Sequence, residues 1–203
     1  MHWLPEPPAG TPVCGGFDGS VVSDHTAIKL ETVDGLLFTP RYGPDRRPTI
    51  WNPAEWNGSI PRSEVHAAWA ELAKRFRLER IYCDPPKWDT DIETWANEYG
   101  DDVFIDWPTY RDRPMYSALE RFTTDLATGA LRHDGCPITA QHVANARKTA
   151  NKADRYLLGK PSQTQKIDAA VTSVLAHEAA ADARAAGWGK AKPRKNARMI
   201  VIR

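Results

Sequence analysis

The dipeptide Asp34-Gly35 separates two segments that have the pattern of β-strands, and Asp-Gly is a strong signal for a tight hairpin turn. The preceding segment, HTAIKLETV, alternates apolar and polar residues, which predicts a half-exposed strand with Ile28 and Leu30 facing inward. The following segment, LLFTPRY, supplies the returning strand. Another short strand, Val13 to Asp18, precedes the hairpin. These segments predict an antiparallel meander.

Helices alternate with strands in the second part of the chain. Residues 43–62, rich in Pro, Trp and Asn, predict a surface loop, and the apolar segments RIYCD and DVFIDWP predict two further strands. A meander followed by helix–strand units favours a mixed sheet with helices on both faces. The predicted helices run from a cap at Ser63 to Phe76, from Asp89 to Tyr99, from Pro114 to Gly129, from Thr139 to Leu158, and from about Lys166 to Ala186.

The composition is that of a soluble globular protein, with 41% hydrophobic and 26% charged residues. We expect no membrane span, because no apolar run is long enough, and no signal peptide at the amino terminus. Three widely spaced cysteines without a CxxC motif argue against a disulfide framework or a zinc site. Residues 1–12 contain four prolines and predict a linker; residues 189–203 predict a basic tail, suited to phosphate contacts or simply solvated.

Three aspartates fall where this order of elements can bring them together. Asp18 ends the first strand, Asp84 ends RIYCD, and Asp168 lies in the first turn of the last helix. If the two strands are parallel neighbours, their carboxyl ends lie side by side, where open α/β sheets form sites. Carboxylates brought together repel one another unless cations neutralise them, and Mg²⁺ or Mn²⁺ suits such ligands. Two such ions would hydrolyse phosphodiesters. Structural explanations remain open: a strand-end Asp often closes a turn, and an Asp near a helix start favours the helix dipole.

Four segments in this order resemble the nuclease domain of the large terminase subunit of tailed bacteriophages: GGFDGSVVSDHTAI, RIYCDPPKW, HDGCPITAQHVANA and GKPSQTQKIDAAVTSVLAHEA. The resemblance covers about residues 13–188. It implies an RNase H-like α/β fold with a central mixed five-stranded sheet, three antiparallel meander strands plus two parallel ones, and helices on both faces. It also implies a metal-dependent endonuclease that cuts concatemeric double-stranded viral DNA with low sequence specificity in the host bacterial cytoplasm. The implied partners are double-stranded DNA, the terminase ATPase domain, the portal and the small terminase subunit.

The resemblance assigns Asp18, Asp84 and Asp168 as the catalytic ligands of two Mg²⁺ or Mn²⁺ ions, in agreement with their expected placement. Asp24, in the loop after the first strand, is either a further contact at the metal site or the residue of an Asx-type turn, and we favour the turn. Lys160 and Lys166 flank the start of the last helix. They would contact the scissile phosphate or relieve the carboxylate repulsion.

Other polar residues have less specific interpretations. His133 matches the family pattern and would position DNA or the last helix, although a turn held by side-chain hydrogen bonds explains it better. His142 is expected on the polar, solvated face of the helix predicted from Thr139 to Leu158. Three glycines surround Asp18: Gly15, Gly16 and Gly19. They leave room for DNA or water to approach, or they merely ease the turn. A basic face of the same helix would contact the DNA backbone or be merely solvated; its residues are Arg147, Lys148, Lys152 and Arg155.

A phosphate-binding GxxxxGK[ST] motif does not occur, so the chain is expected to carry no ATPase site. Two alternatives to a terminase nuclease stay open at this point. One is a nuclease of the same fold that resembles Holliday-junction resolvases. The other is a non-catalytic module that docks on DNA or the portal.

Overall fold

A computed structural model describes residues 2–150 and 155–190. The strands are β1 (Pro12–Asp18), β2 (Thr26–Thr32), β3 (Leu36–Phe38), β4 (Arg41–Tyr42), β5 (Arg47–Pro48), β6 (Ile50–Trp51), β7 (Arg77–Cys83), β8 (Phe104–Asp106), β9 (Arg132–His133), β10 (Arg147–Ala150) and β11 (Tyr156–Gly159). The helices are α1 (Arg62–Arg75), α2 (Asp89–Tyr99), α3 (Asp112–Thr128), α4 (Pro137–Asn145) and α5 (Asp168–Ala185), with a 3-10 helix at Pro53–Trp56.

The central sheet of the described chain has the strand order β8-β7-β1-β2-β3-β9, and β6 pairs with β2 off this path. β1, β2 and β3 form the antiparallel meander, while β7 and β8 are parallel to β1. This confirms the predicted five-stranded mixed sheet, which β6 and β9 extend. Helix α5 packs against β1 and β2 on one face. The other face carries an aromatic core in which Phe17 meets Trp88 and Trp95 edge to face.

The prediction that β2 is half exposed is wrong, because all seven of its residues are buried. Ile28 and Leu30 pack into the aromatic core as expected. Lys29 and Glu31 point to the opposite face, yet they are only 1% and 0% exposed. Alternation along a strand reports which residues share a face but does not tell whether a second layer covers the polar one.

Residues 43–62 were expected to be a surface loop, and this too needs correction. They contain β5, β6 and the 3-10 helix, and Trp51 is 2% exposed. Trp51 pairs with Thr26 of β2 and donates its indole N–H to the hydroxyl of Tyr42 at 2.7 Å. Helix α1 starts at Arg62 after Pro61, so Ser63 is inside the helix and does not cap it.

The long helix predicted from Thr139 to Leu158 is also wrong. Helix α4 ends at Asn145, and β10 and β11 form an antiparallel ladder with Arg147 opposite Gly159. The amide nitrogen of the Asn145 side chain donates to the carbonyl of Lys166 at 2.9 Å, which ties the helix end to the segment before α5. Leu157 of β11 then packs against helix α3. These long-range contacts override an apolar spacing that is compatible with a helix.

The proline-rich residues at the amino terminus contact the folded domain. The indole N–H of Trp3 donates to Asp134 Oδ2 at 3.0 Å, and the Leu4 amide donates to the Asp134 carbonyl at 2.7 Å. The carboxylate of Glu6 accepts from the amide of Arg41 at 2.7 Å. Within the described ranges, no helix has the length and apolar character needed to cross a membrane.

Candidate active site

Asp18 and Asp84 lie at the same edge of the sheet because β1 and β7 are parallel neighbours. Phe17 pairs with Cys83, and the amide of Asp84 donates to the Phe17 carbonyl at 3.0 Å. Each aspartate therefore follows directly on the last pair of the β1–β7 ladder. This register places both residues at the carboxyl ends of neighbouring strands.

Helix α5 brings the third aspartate to this edge. It lies close against the sheet at Gly16, where a Cβ atom would lie 2.5 Å from the Thr172 carbonyl oxygen and 2.6 Å from the Ala176 nitrogen. Asp168, the first residue of α5, lies one helical turn before Thr172. The glycine thus serves helix packing and leaves no room for DNA or water. Gly19 likewise lies against the Trp88 ring.

The carboxylate of Asp18 accepts no hydrogen bond from the described part of the chain, although nearby carboxylates are within electrostatic range. Burial raises the pKa of Asp18 well above its usual value, and the charges of Asp168, Asp84 and Asp24 raise it further. An unpaired carboxylate in such surroundings is a costly feature that a bound cation would stabilise.

Asp84 is held from one side by Thr109, in the loop after β8. The Thr109 amide donates to Asp84 Oδ1 at 2.8 Å, and its hydroxyl donates to Oδ2 at 3.0 Å. Burial raises the pKa of Asp84, and these two hydrogen bonds counteract part of that effect because they favour the ionised form. No sequence pattern points to Thr109, because its role depends on how a loop folds back.

Asp168 accepts a hydrogen bond from the His25 amide at 3.2 Å, and burial followed by the charge of Asp24 raises its pKa. The His25 ring meets the His142 ring edge to face at 4.9 Å between centroids. His142, expected to be solvated, is only 4% exposed, and its Nδ1 accepts from the Ala169 amide at 3.0 Å. Burial lowers the pKa of His142 to about 4, so at neutral pH its ring is uncharged and can accept.

Asp24 is paired with two lysines. Its Oδ1 accepts from Lys160 at 2.6 Å and from Lys166 at 2.8 Å. Burial alone would raise the pKa of Asp24, but the hydrogen bonds from both lysines outweigh it and lower the pKa. The favoured Asx-type turn is therefore wrong: Ser20 closes this loop, since its hydroxyl accepts from the Asp24 amide at 3.2 Å and its amide donates to Thr26 Oγ1 at 3.0 Å.

His133 lies at a different edge of the sheet. It belongs to β9, which pairs with β3 and is separated from β1 by two strands. Its Nδ1 accepts from the Gly135 amide at 3.1 Å, and Asp134 Oδ1 accepts from the Cys136 amide at 2.9 Å. These bonds make the expected turn held by side chains.

The predicted basic helical face does not exist, because Arg147 and Lys148 belong to β10. Both are exposed, and the Lys148 ammonium stands 4.0 Å from the centroid of the Tyr156 ring. Arg155 directly precedes β11. Lys152 lies outside the described residues, as does most of the predicted basic tail, from residue 191 onward.

The four aspartates do not form a finished metal cage. Among the described residues, no three Asp, Glu, His or Cys side chains are arranged to ligate one ion as they stand. Mutual repulsion keeps unneutralised carboxylates apart. The donor set nonetheless suits a hard divalent cation, because it consists of carboxylate oxygens and includes the unpaired Asp18. The described cysteines, Cys14, Cys83 and Cys136, are buried free thiols.

Comparison with known proteins identifies the family. Residues 47–183 match the model of the terminase large subunit endonuclease domain. The chain belongs to this family. The match confirms the resemblance seen in the four sequence segments.

Similar proteins include two of mycobacterial phages. The chain is 28% identical over 207 residues to the gene 13 protein of Mycobacterium phage D29 and 27% identical over 201 residues to that of phage L5. These alignments cover 96% and 93% of this chain but 32% of each relative. The chain therefore spans about a third of the length of these curated relatives.

Solved structures share the fold of this terminase nuclease domain. The large terminase of bacteriophage HK97 superposes with a TM-score of 0.65 at 19% identity, over 86% of this chain and 40% of that one. The terminase nuclease of thermophilic phage G20c, solved with bound magnesium, gives a TM-score of 0.63 at 13% identity over 88% and 92%. The RNase H-like fold expected from the sequence is thereby confirmed.

Proposed function

We propose that this terminase nuclease domain is a divalent-metal-dependent endonuclease that cleaves concatemeric double-stranded DNA with low sequence specificity. The observation that supports the proposal is the carboxylate of Asp18 at the end of β1, which accepts no hydrogen bond from the described residues and whose pKa is raised by desolvation and by the neighbouring Asp168 and Asp84. Magnesium in a G20c structure of the same fold supports a divalent cation here.

Asp18, Asp84 and Asp168 would hold two Mg²⁺ or Mn²⁺ ions at the carboxyl edge of β1 and β7. Two ions so bound supply an activated water and stabilise the leaving oxygen of a phosphodiester. The chain itself supplies the orientation: Thr109 fixes Asp84, and the His25 amide holds Asp168. Asp24 is already neutralised by lysines and therefore serves beside the metal ligands.

Lys160 and Lys166 have two roles in this proposal. With Asp24 between them, they add positive charge next to the carboxylate edge, 23% and 18% exposed at their side chains. This location suits a contact to the phosphate that flanks the cleaved bond. Arg147, Lys148 and Arg155, on the hairpin that leads to Lys160, would contact the DNA backbone farther along, as would Lys152.

The biological setting follows from the family. We propose that the domain works in the host bacterial cytoplasm with an ATPase domain of the large subunit, the small terminase subunit and the portal. The described residues of this chain supply the cleavage site, and the motor belongs to another part of the terminase. His133, on the edge strand β9, would act only on the turn before α4.

Supercoiled plasmid incubated with Mg²⁺, Mn²⁺ or EDTA tests this function. We expect cleavage with either ion and none in EDTA. Asp18→Asn, Asp84→Asn and Asp168→Asn should each lower the rate by at least about 100-fold, because each removes an anionic ligand. Asp101→Asn is the matched control, since Asp101 is exposed on the loop between α2 and β8. Folding of every variant is checked by circular dichroism.

Four outcomes would contradict the proposal in whole or in part. Full activity of one aspartate variant removes that residue from the site, and cleavage that persists in EDTA removes the metal. A strong preference for four-way junctions over linear duplex would point instead to a resolvase-like specificity. DNA binding without any metal-dependent cleavage would indicate a docking module.

A further inference from the structure

Thr109 binds both oxygens of the Asp84 carboxylate. Its backbone N–H donates to Oδ1 at 2.8 Å, and its hydroxyl donates to Oδ2 at 3.0 Å. Two bonds from one residue to two different oxygens fix both the position of the carboxylate and the rotation of its plane. A single donor would leave that rotation free.

The loop that carries Thr109 is itself anchored to the strand that carries Asp84. The Trp107 amide donates to the Cys83 carbonyl at 2.7 Å, which extends the β7–β8 ladder by one residue. The Trp107 ring stacks on Tyr82 of β7, with 6.0 Å between centroids and 20° between planes. Thr109 and Asp84 are therefore both anchored on β7, Asp84 directly and Thr109 through Trp107.

The three aspartates differ in how firmly the protein holds them. From other residues of the described chain, Asp18 accepts no hydrogen bond, Asp168 accepts one from the His25 amide, and Asp84 accepts two from Thr109. An ionised carboxylate has about four lone-pair sites, so the two bonds leave acceptor capacity on both Asp84 oxygens. A cation can therefore bind the remaining lone pairs of the Asp84 carboxylate while Thr109 holds its orientation.

We propose that Thr109 is a positioning residue for the metal centre: it fixes the Asp84 carboxylate in the orientation that binds the cation. This inference rests on the nuclease function proposed above. It assigns to the hydroxyl an effect on metal affinity, beyond any effect on folding. Loss of the hydroxyl should weaken cation binding by about 10- to 100-fold, the range seen for residues that orient metal ligands.

The test compares Thr109→Val with Thr109→Ser. Valine keeps the β-branched shape and the backbone N–H bond but removes the hydroxyl, whereas serine keeps the hydroxyl. Thr94→Val is the matched control, because the Thr94 hydroxyl makes a 2.8 Å bond to the Thr90 carbonyl within α2. Mn²⁺ affinity is measured by calorimetry without DNA, and plasmid cleavage is measured as a function of Mn²⁺ concentration. Thermal unfolding in EDTA records stability separately.

We expect Thr109→Val to raise the Mn²⁺ dissociation constant and the half-activating concentration by the same 10- to 100-fold range. Excess Mn²⁺ should restore most of the cleavage rate, and Thr109→Ser should stay near wild type. Unchanged Mn²⁺ affinity in folded Thr109→Val would overturn the inference, as would an equal loss in Thr109→Ser. If Thr109→Val does not fold, Thr109→Ser becomes the test. Weakened Mn²⁺ affinity in Thr109→Ser with intact stability overturns the inference, and wild-type Mn²⁺ affinity in Thr109→Ser supports it.

The wild-type protein separates this inference from the proposed function. If the wild type binds Mn²⁺ and cleaves DNA, and Thr109→Val does both equally well, only the role of Thr109 is overturned. A wild type that neither binds Mn²⁺ nor cleaves DNA overturns both proposals.

Discussion

Gly16 shows how one residue sets the position of the candidate site. A Cβ atom at this position would lie 2.5 Å from a backbone oxygen and 2.6 Å from a backbone nitrogen of α5, neither of which can rotate away. The helix that begins with Asp168 therefore comes as close to β1 as a side-chain-free residue permits. Larger residues would push the helix, and Asp168 with it, off the sheet.

Gly16→Ala should lower the free energy of unfolding by about 3 kcal/mol, the upper range for overpacking in a core. Urea unfolding measures the change. Gly58→Ala is the control: its added Cβ meets nothing within 4 Å, so only the strain of its positive φ of 87° remains, about 1–2 kcal/mol. Equal losses in the two variants would show that α5 does not need this close approach.

At the scale of elements, His177 joins a strand and two helices. From α5 its Nδ1 lies 2.9 Å from Glu31 Oε2 on β2, and its Nε2 lies 2.9 Å from Asp125 Oδ2 on α3. Both partners are carboxylates, so each ring nitrogen that carries a proton can donate to one of them. Arg184 supplies a second donor to Glu31 at 2.8 Å.

His177→Ala should destabilise the fold by about 3–5 kcal/mol, because removal of one partner leaves a buried carboxylate undercompensated. His133→Ala, at an exposed position with one turn hydrogen bond, should cost about 1 kcal/mol. Thermal unfolding of both variants at neutral pH measures the two losses of stability. A loss in His177→Ala no larger than that in His133→Ala would mean that Arg184 alone compensates Glu31.

Elements with local stop signals could be predicted, and elements that end through distant contacts could not. Helix α2 runs from Asp89 to Tyr99 as predicted, with Gly100 after its end, and Gly129 ends α3 in a left-handed conformation. Helix α4 ends instead where Asn145 reaches the Lys166 carbonyl, a contact 21 residues away along the chain. No local pattern carries that information.

The same distinction applies to the site. Asp18 and Asp84 could be placed because each follows a short apolar strand and parallel neighbours end at one edge. The supporting residues are Thr109 and His142. The position of Thr109 depends on the loop after β8, and that of His142 depends on which side of α4 faces α5. Residues whose place follows from a strand end can thus be predicted from the sequence. The residues that orient them can be found only in the folded structure.

For the whole molecule, we expect the carboxylate edge to make stability depend on pH and, under the proposed function, on cations. The pKa values of Asp18, Asp84 and Asp168 are raised in the folded protein, by burial first in each case. An acid of this kind binds protons more tightly when folded, so its contribution to stability is lost as the pH rises from about 4, the value of an unfolded aspartate. The edge is therefore most destabilising at neutral pH without metal.

In EDTA, Asp18→Asn should have a higher melting temperature than the wild type at pH 7, by about 2–4 °C for each kcal/mol of repulsion removed. The difference in melting temperature should shrink toward pH 4.

Millimolar Mn²⁺ should raise the wild-type melting temperature at pH 7, because a cation that binds only the folded state stabilises it by mass action. The same addition should leave Asp18→Asn nearly unchanged, with Asp101→Asn following the wild type. Identical melting temperatures for Asp18→Asn and wild type across this pH range, in EDTA, would show that the Asp18 charge does not strain the fold. A higher melting temperature of Asp18→Asn in EDTA would show that the Asp18 carboxylate costs stability, which the proposed cation would offset.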